Sequence, residues 1–138
     1  MSDTVYEIKP IGVVQSELTS PEAAPKQGYE GAPDAWIHVN SAVAEGLEGM
    51  AVGSEIILMT WFHKAHRDRL KVHPRGDKRN PITGVFSTRS PHRPNPIGLH
   101  RVTVLEIAGQ RIKVRPLEAI DGTPVVDIKP VLLQSSDS

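Results

Sequence analysis

Proline is the residue that most limits how this chain can fold. Twelve prolines are distributed along the sequence, while aromatic residues make up only 4% of it. Proline fixes φ, removes a backbone donor and turns the residue before it away from helix. This spacing argues against a helical bundle and for short strands joined by stiff loops. The densest cluster lies in Gly84-Val-Phe-Ser-Thr-Arg-Ser-Pro-His-Arg-Pro-Asn-Pro-Ile-Gly-Leu-His100, where Pro91, Pro94 and Pro96 fall within six positions. A loop of that stiffness loses little entropy on binding. It carries Arg89, Arg93 and Asn95, side chains suited to a phosphate, a carboxylate or a base edge, or simply to solvent.

The extended segments can be read from their alternation. Val5–Val14 reads as a strand bent at Pro10 and Gly12, followed by a long loop from Gln15 to Pro33 that contains Pro25-Lys26-Gln27-Gly28. Ala35–Val39 alternates as a strand, and Ser41 is placed to cap a short helix from Ala42 to about Met50 that Gly46 and Gly49 weaken. Glu55–Phe62 is the most apolar run and reads as a central strand. His63–Asp77 reads as loop. Leu99–Ile107 and Arg111–Val114 form a hairpin around Ala108-Gly109-Gln110. Leu117–Ile120 is a short apolar segment, Asp121-Gly122-Thr123-Pro124 a turn and Val125–Pro130 a last extended piece. Trp61 and Phe86 read as core. Together these make a barrel or a sandwich in one all-β domain.

Charge and composition narrow the chemistry. Net charge is zero, yet Trp61–Arg101 holds Lys64, Arg67, Arg69, Lys71, Arg75, Lys78, Arg79, Arg89, Arg93 and Arg101 against only Asp68 and Asp77. A basic middle of this kind fits an anionic partner such as RNA. Without cysteine the chain has neither disulfides nor thiolate chemistry. His63, His66 and His73 lack the ordered spacing of familiar zinc sites, so no metal is expected. With no signal-like start and no run long enough to span a bilayer, the expected location is cytoplasmic. There is no Gly-x-Gly-x-x-Gly, P-loop or Gly-x-Ser-x-Gly element.

Five motifs then occur in order: Ile11-Gly12-Val13-Val14-Gln15-Ser16, Trp61-Phe62-His63, Gly84-Val85-Phe86-Ser87-Thr88-Arg89-Ser90, Arg93-Pro94-Asn95-Pro96-Ile97-Gly98, and Asp121-Gly122-Thr123-Pro124 with Asp127-Ile128-Lys129-Pro130. In this set the chain resembles the TsaA-like (TrmO) family over roughly residues 5–131. The resemblance implies a single-sheeted β-barrel over residues 1–133, to which the residues themselves add long loops, at most one or two short helices and a polar tail at 134–138. It further implies a homodimer that binds S-adenosylmethionine and methylates threonylcarbamoyladenosine beside the anticodon in tRNA. Carried over by motif, the cofactor contacts are Pro25, Lys26, Gln27, His63, Lys64, Arg89, Leu99, Asp121, Gly122, Thr123 and Pro124.

For the transfer itself, Arg89 and Arg93 are expected to supply positive charge and His63 a base, with His92 and Asp127 as weaker candidates for that base. Arg75, Lys78, Arg79, Arg93 and Asn95 are the expected RNA contacts, with Lys71 beside them. Two features depart from the family pattern. Its bacterial members carry a further C-terminal domain, and Val131 stands where their closing motif continues with tyrosine. Other readings that remain open are a methyltransferase of this fold acting on another RNA or a small molecule, a non-catalytic barrel that binds RNA or senses the cofactor, and a histidine-metal hydrolase.

Overall fold

Six strands close into one antiparallel barrel in the computed structural model, which describes residues 3–20 and 31–132. The strands are β1 (Gly12–Gln15), β2 (Ala35–Val39), β3 (Glu55–Trp61), β6 (Ile97–Ala108), β7 (Arg111–Arg115) and β8 (Pro124–Pro130), in the order β1-β2-β7-β6-β3-β8 around the barrel. The two short strands β4 (Lys71–Val72) and β5 (Thr83–Gly84) pair in a separate ribbon. The inward residues of each strand fill the interior: Val14, Ile37, Leu58, Val102, Val104, Ile112, Val114 and Val125 are all buried. This is the expected single-sheeted barrel, and strict alternation specifies its register, because a slip of one residue would turn the whole apolar set outward.

β6 is long enough to serve two neighbours. Its first part pairs with β3, Ile97 opposite Trp61, and its last part pairs with β7. The register shifts between Val104 and Glu106, and again where β3 meets β8 between Met59 and Thr60. Such bulges sharpen twist and bend, which closing so small a barrel requires. The end of β3 and the starts of β6 and β8 therefore share one end of the barrel.

Several sequence expectations need correction. Residues 5–11 form no strand. β1 begins at Gly12, where its pairing to both neighbours begins, and Val5, Tyr6 and Ile8 are exposed. Pro10 offers no donor, and its carbonyl is taken by the Asn40 side chain at 3.1 Å. The expected helix is a 3-10 segment, Ser41–Leu47, that follows Asn40. Ser41 does not cap it: its hydroxyl donates to Gln110 Oε1 at 3.0 Å. The expected loop 63–77 contains β4 and a 3-10 turn, Pro74–Gly76. Two-residue strands carry no periodicity that a sequence could display. Phe86 is not core but 79% exposed, and Trp61 is half-buried beneath the Arg67 guanidinium, 5.0 Å from the ring centre.

Gly98 marks the tightest point near the shared barrel end. A methyl group there would lie 2.5 Å from Phe62 Cζ and closer still to Thr60 Oγ1. Gly98→Ala is expected to cost about 2–3 kcal/mol through overpacking, measurable by urea unfolding. An unchanged midpoint would mean that Phe62 is free to move aside.

Candidate functional site

A cavity of about 580 Å³ opens where these strand ends meet, between a turn after β3, the proline-rich loop and the segment before β8. The first wall is the turn Phe62–Ala65, closed by the Ala65 amide donating to the Phe62 carbonyl at 3.0 Å. His63 and Lys64 occupy its two central positions, both exposed and both without a hydrogen-bond partner among the described residues. The Phe62 amide donates to the Pro96 carbonyl at 2.8 Å, tying this turn to the proline-rich loop.

The proline-rich loop is braced from inside. Arg93 donates through Nη1 to the carbonyls of Thr88 (3.0 Å) and Ser90 (3.1 Å), and through Nη2 to that of Val85 (2.9 Å). Arg67 braces it from outside, donating to the Pro94 carbonyl at 2.7 Å and to Asn95 Oδ1 at 3.1 Å. Arg89 lines the cavity, is exposed, and has no partner among the described residues. The two arginines expected to share one role are therefore different. Arg93 shapes the rim, and Arg89 presents a free guanidinium at it.

The third wall holds a group the sequence reading missed. His100, on the inward face of β6, is 3% exposed. Its Nδ1 lies 2.6 Å from Glu118 Oε1 and its Nε2 2.7 Å from Thr60 Oγ1, while Phe62 packs edge-on to the ring at 5.8 Å. His100 and Glu118 both line the cavity. A signal was present, since His100 falls in phase with Gly98, Val102 and Val104, a polar residue on an otherwise apolar face.

The remaining expected residues divide. Leu99 and Thr123 line the cavity. Asp121, Gly122 and Pro124 do not. Asp121 instead accepts the Ser16 amide at 3.0 Å and donates its own amide to the Leu18 carbonyl at 2.7 Å, fixing its turn against the end of β1. Pro25, Lys26 and Gln27 lie outside the described residues. His92 lines the cavity and packs beside His66, 5.1 Å between ring centres. Asp127 sits on β8 away from the cavity wall and accepts the Ile128 amide.

Arg75, Lys78 and Arg79 project from the loop joining β4 and β5 and do not line the cavity. Arg79 grips Asp77 through two nitrogens, the shorter bond 2.6 Å, and these hydrogen bonds hold the Asp77 carboxyl below the usual carboxylate range. Among the described residues, the histidines considered for a metal form no cluster of three that could hold one, and His73 Nδ1 lies 2.9 Å from the Asn80 carbonyl.

The family model of the tRNA-methyltransferase O N-terminal domain matches residues 13–138. The chain belongs to this family. Within it, a protein of Methanothermobacter thermautotrophicus described as a probable S-adenosyl-L-methionine-binding protein is 43% identical over 130 residues, 94% of this chain and 93% of its own length. An S-adenosyl-L-methionine-binding protein of Archaeoglobus fulgidus is 46% identical over 122 residues, 88% of this chain and 86% of its own. The crystal structure of TrmO from Pseudomonas aeruginosa aligns with a TM-score of 0.75 and 30% identity, covering 98% of this chain and 61% of that one. The chain thus spans about three fifths of that neighbour's length.

Proposed function

We propose that this family member binds S-adenosylmethionine in the cavity at the barrel end and transfers its methyl group to N6 of threonylcarbamoyladenosine in tRNA. The observation that carries the reading is the cavity's make-up. Arg89, Lys64 and His63, without partners among the described residues, stand on its rim, and apolar and small side chains (Phe62, Ile97, Leu99, Ala119) line it. That combination fits a ligand with an anionic carboxylate, a flat apolar base and a need for fixed orientation. The naming of relatives from two archaea as S-adenosyl-L-methionine-binding supports the choice of ligand, and the likeness to TrmO supports the choice of reaction.

The cofactor supplies an activated methyl group, and what remains for the protein is mostly geometry. Displacement at a sulfonium methyl is in line, so holding acceptor and methyl in register supplies much of the rate. The acceptor nitrogen is conjugated to a purine and a carbonyl, and it attacks well only as its proton leaves. In this reading His63 accepts that proton. Arg89, its guanidinium without a partner among the described residues, steadies the charge that develops or grips the threonyl carboxylate. Arg93 holds the loop that carries Arg89 and contributes no free charge. A cytoplasmic homodimer is part of the same proposal, with light scattering as its check. Among the described residues no helix is long and apolar enough to cross a membrane.

Incubating the protein with S-adenosylmethionine and tRNA bearing the threonylcarbamoyl modification tests the reaction. Nucleoside mass spectrometry should show a gain of one methyl group on that nucleoside. Absence of the methylated nucleoside, with the donor bound, would move the reading to another acceptor. For the RNA itself, the double change of Lys78 and Arg79 to alanine is expected to weaken tRNA binding and to reduce the salt slope by about one to two, leaving donor affinity unchanged. An unaltered slope would remove the β4–β5 ribbon from the RNA path.

A further inference from the structure

Among the described residues, Glu118 is the single carboxylate on a cavity wall whose other ionisable side chains, His63, Lys64, Arg89, His92, Arg93 and His100, are all basic. It is presented by an apolar segment, with Leu117, Ala119 and Ile120 all buried and its own side chain 15% exposed. A carboxylate in such surroundings is costly unless it is paired. One oxygen is paired, since Oε1 receives His100 Nδ1 at 2.6 Å. The imidazole is itself fixed, by Thr60 Oγ1 at Nε2 and by the Phe62 ring at its edge. The other oxygen, Oε2, has no hydrogen-bond partner among the described residues. It is not sealed away either, because no buried side-chain polar atom among those residues lacks a partner. Oε2 is therefore accessible, on a residue that lines the cavity, with its capacity unused among the described residues.

We propose that Glu118, oriented by His100, is the site that receives the positively charged group of the bound ligand, and that His100 is a positioning residue for it. The inference rests on the methyl-donor reading and deepens it. S-adenosylmethionine carries a carboxylate and two cationic groups, an ammonium and a sulfonium. Among the described residues, the cavity offers unpaired cations at its rim and one anion on its inner wall. A ligand whose charges match in that order is held by two charges along its methionyl part, which fixes the direction in which the sulfonium methyl is presented. The buried imidazole keeps the carboxylate in one orientation, so little reorganisation accompanies binding.

Calorimetric titration of the full chain with three ligands tests this. S-adenosylmethionine has both cationic groups, S-adenosylhomocysteine keeps only the ammonium, and methylthioadenosine has neither. Glu118→Gln is expected to weaken S-adenosylmethionine roughly 10- to 100-fold, the range of a charge-assisted hydrogen bond, while methylthioadenosine changes by less than about twofold. A parallel loss for S-adenosylhomocysteine identifies the ammonium as the group held, and its retention identifies the sulfonium. His100→Leu should reproduce the selective loss, and His100→Asn, which restores a donor toward Glu118, should recover part of it. Thermal melts of each variant report folding. If Glu118→Gln does not fold, Glu118→Asp keeps the charge, retracts it by one methylene and should give the same selectivity at smaller size. Wild-type binding with unchanged affinity in the Glu118 variant, or an equal loss for all three ligands, overturns this inference alone. Failure of the folded wild-type protein to bind S-adenosylmethionine overturns the methyl-donor reading with it.

Discussion

Arg93→Ala is expected to unfold the cavity rim before the barrel and to lower stability by about 3 kcal/mol. The Arg93 guanidinium spans three carbonyls of one short stretch, those of Val85, Thr88 and Ser90. The Val85 carbonyl also accepts the Thr88 amide and hydroxyl, so it is not left bare. The carbonyls of Thr88 and Ser90 lose the donor that Arg93 supplied. Hydrogen bonds to a charged donor contribute about 1.5–3 kcal/mol each and are not additive here, which sets the estimate. Lysine cannot fork across three acceptors, so Arg93→Lys should recover less than half of the loss. Urea unfolding gives the stability, and hydrogen exchange of the amides at 85–93 locates it. A variant with wild-type stability and unchanged exchange in this loop would show that the prolines alone hold its shape.

Arg89→Ala carries the opposite signature. Its guanidinium is exposed and unpartnered among the described residues, so stability should stay within about 0.5 kcal/mol. Affinity for S-adenosylmethionine should fall roughly 10- to 100-fold, and methyl transfer should be lost. Calorimetry, nucleoside mass spectrometry and a thermal melt separate these effects. Full activity in Arg89→Ala would show that the free guanidinium on the rim serves no ligand. The pair of variants forms a cross-check, because two arginines four residues apart are predicted to fail in different assays.

That distinction could not be drawn from the sequence. Arg89 and Arg93 sit on the same stiff loop with the same chemistry, and only the fold decides which guanidinium turns back onto carbonyls. Barrel strands β2, β3, β6 and β7 are legible because they alternate over five or more residues. The alternating run Ala35–Val39 coincides with β2, and Glu55–Phe62, Leu99–Ile107 and Arg111–Val114 lie within two residues of β3, β6 and β7. What escaped was local structure without period, namely the two-residue strands β4 and β5 and the 3-10 turns. Val5–Ile8 reads as strand-like by composition, yet pairing with β2 and β8 begins only at Gly12, and the rest of β8 pairs with β3 instead.

Of the expected cofactor contacts, His63, Lys64, Arg89, Leu99 and Thr123 meet at one cavity, while Asp121, Gly122 and Pro124 stand outside its wall. His100 reads in sequence as one more residue of a strand, and Glu118 lies in an apolar segment that is not a strand at all. Their pairing joins β6 to the stretch before β8, eighteen residues apart in sequence, a contact that no local pattern encodes.

The most direct test of the account is a calorimetric titration of the purified wild-type chain with S-adenosylmethionine, alongside Arg89→Ala. The account predicts saturable micromolar binding at one site per chain, sharply weakened in the variant. Folded wild-type protein that gives no binding, alone or with bulk tRNA present, would contradict it.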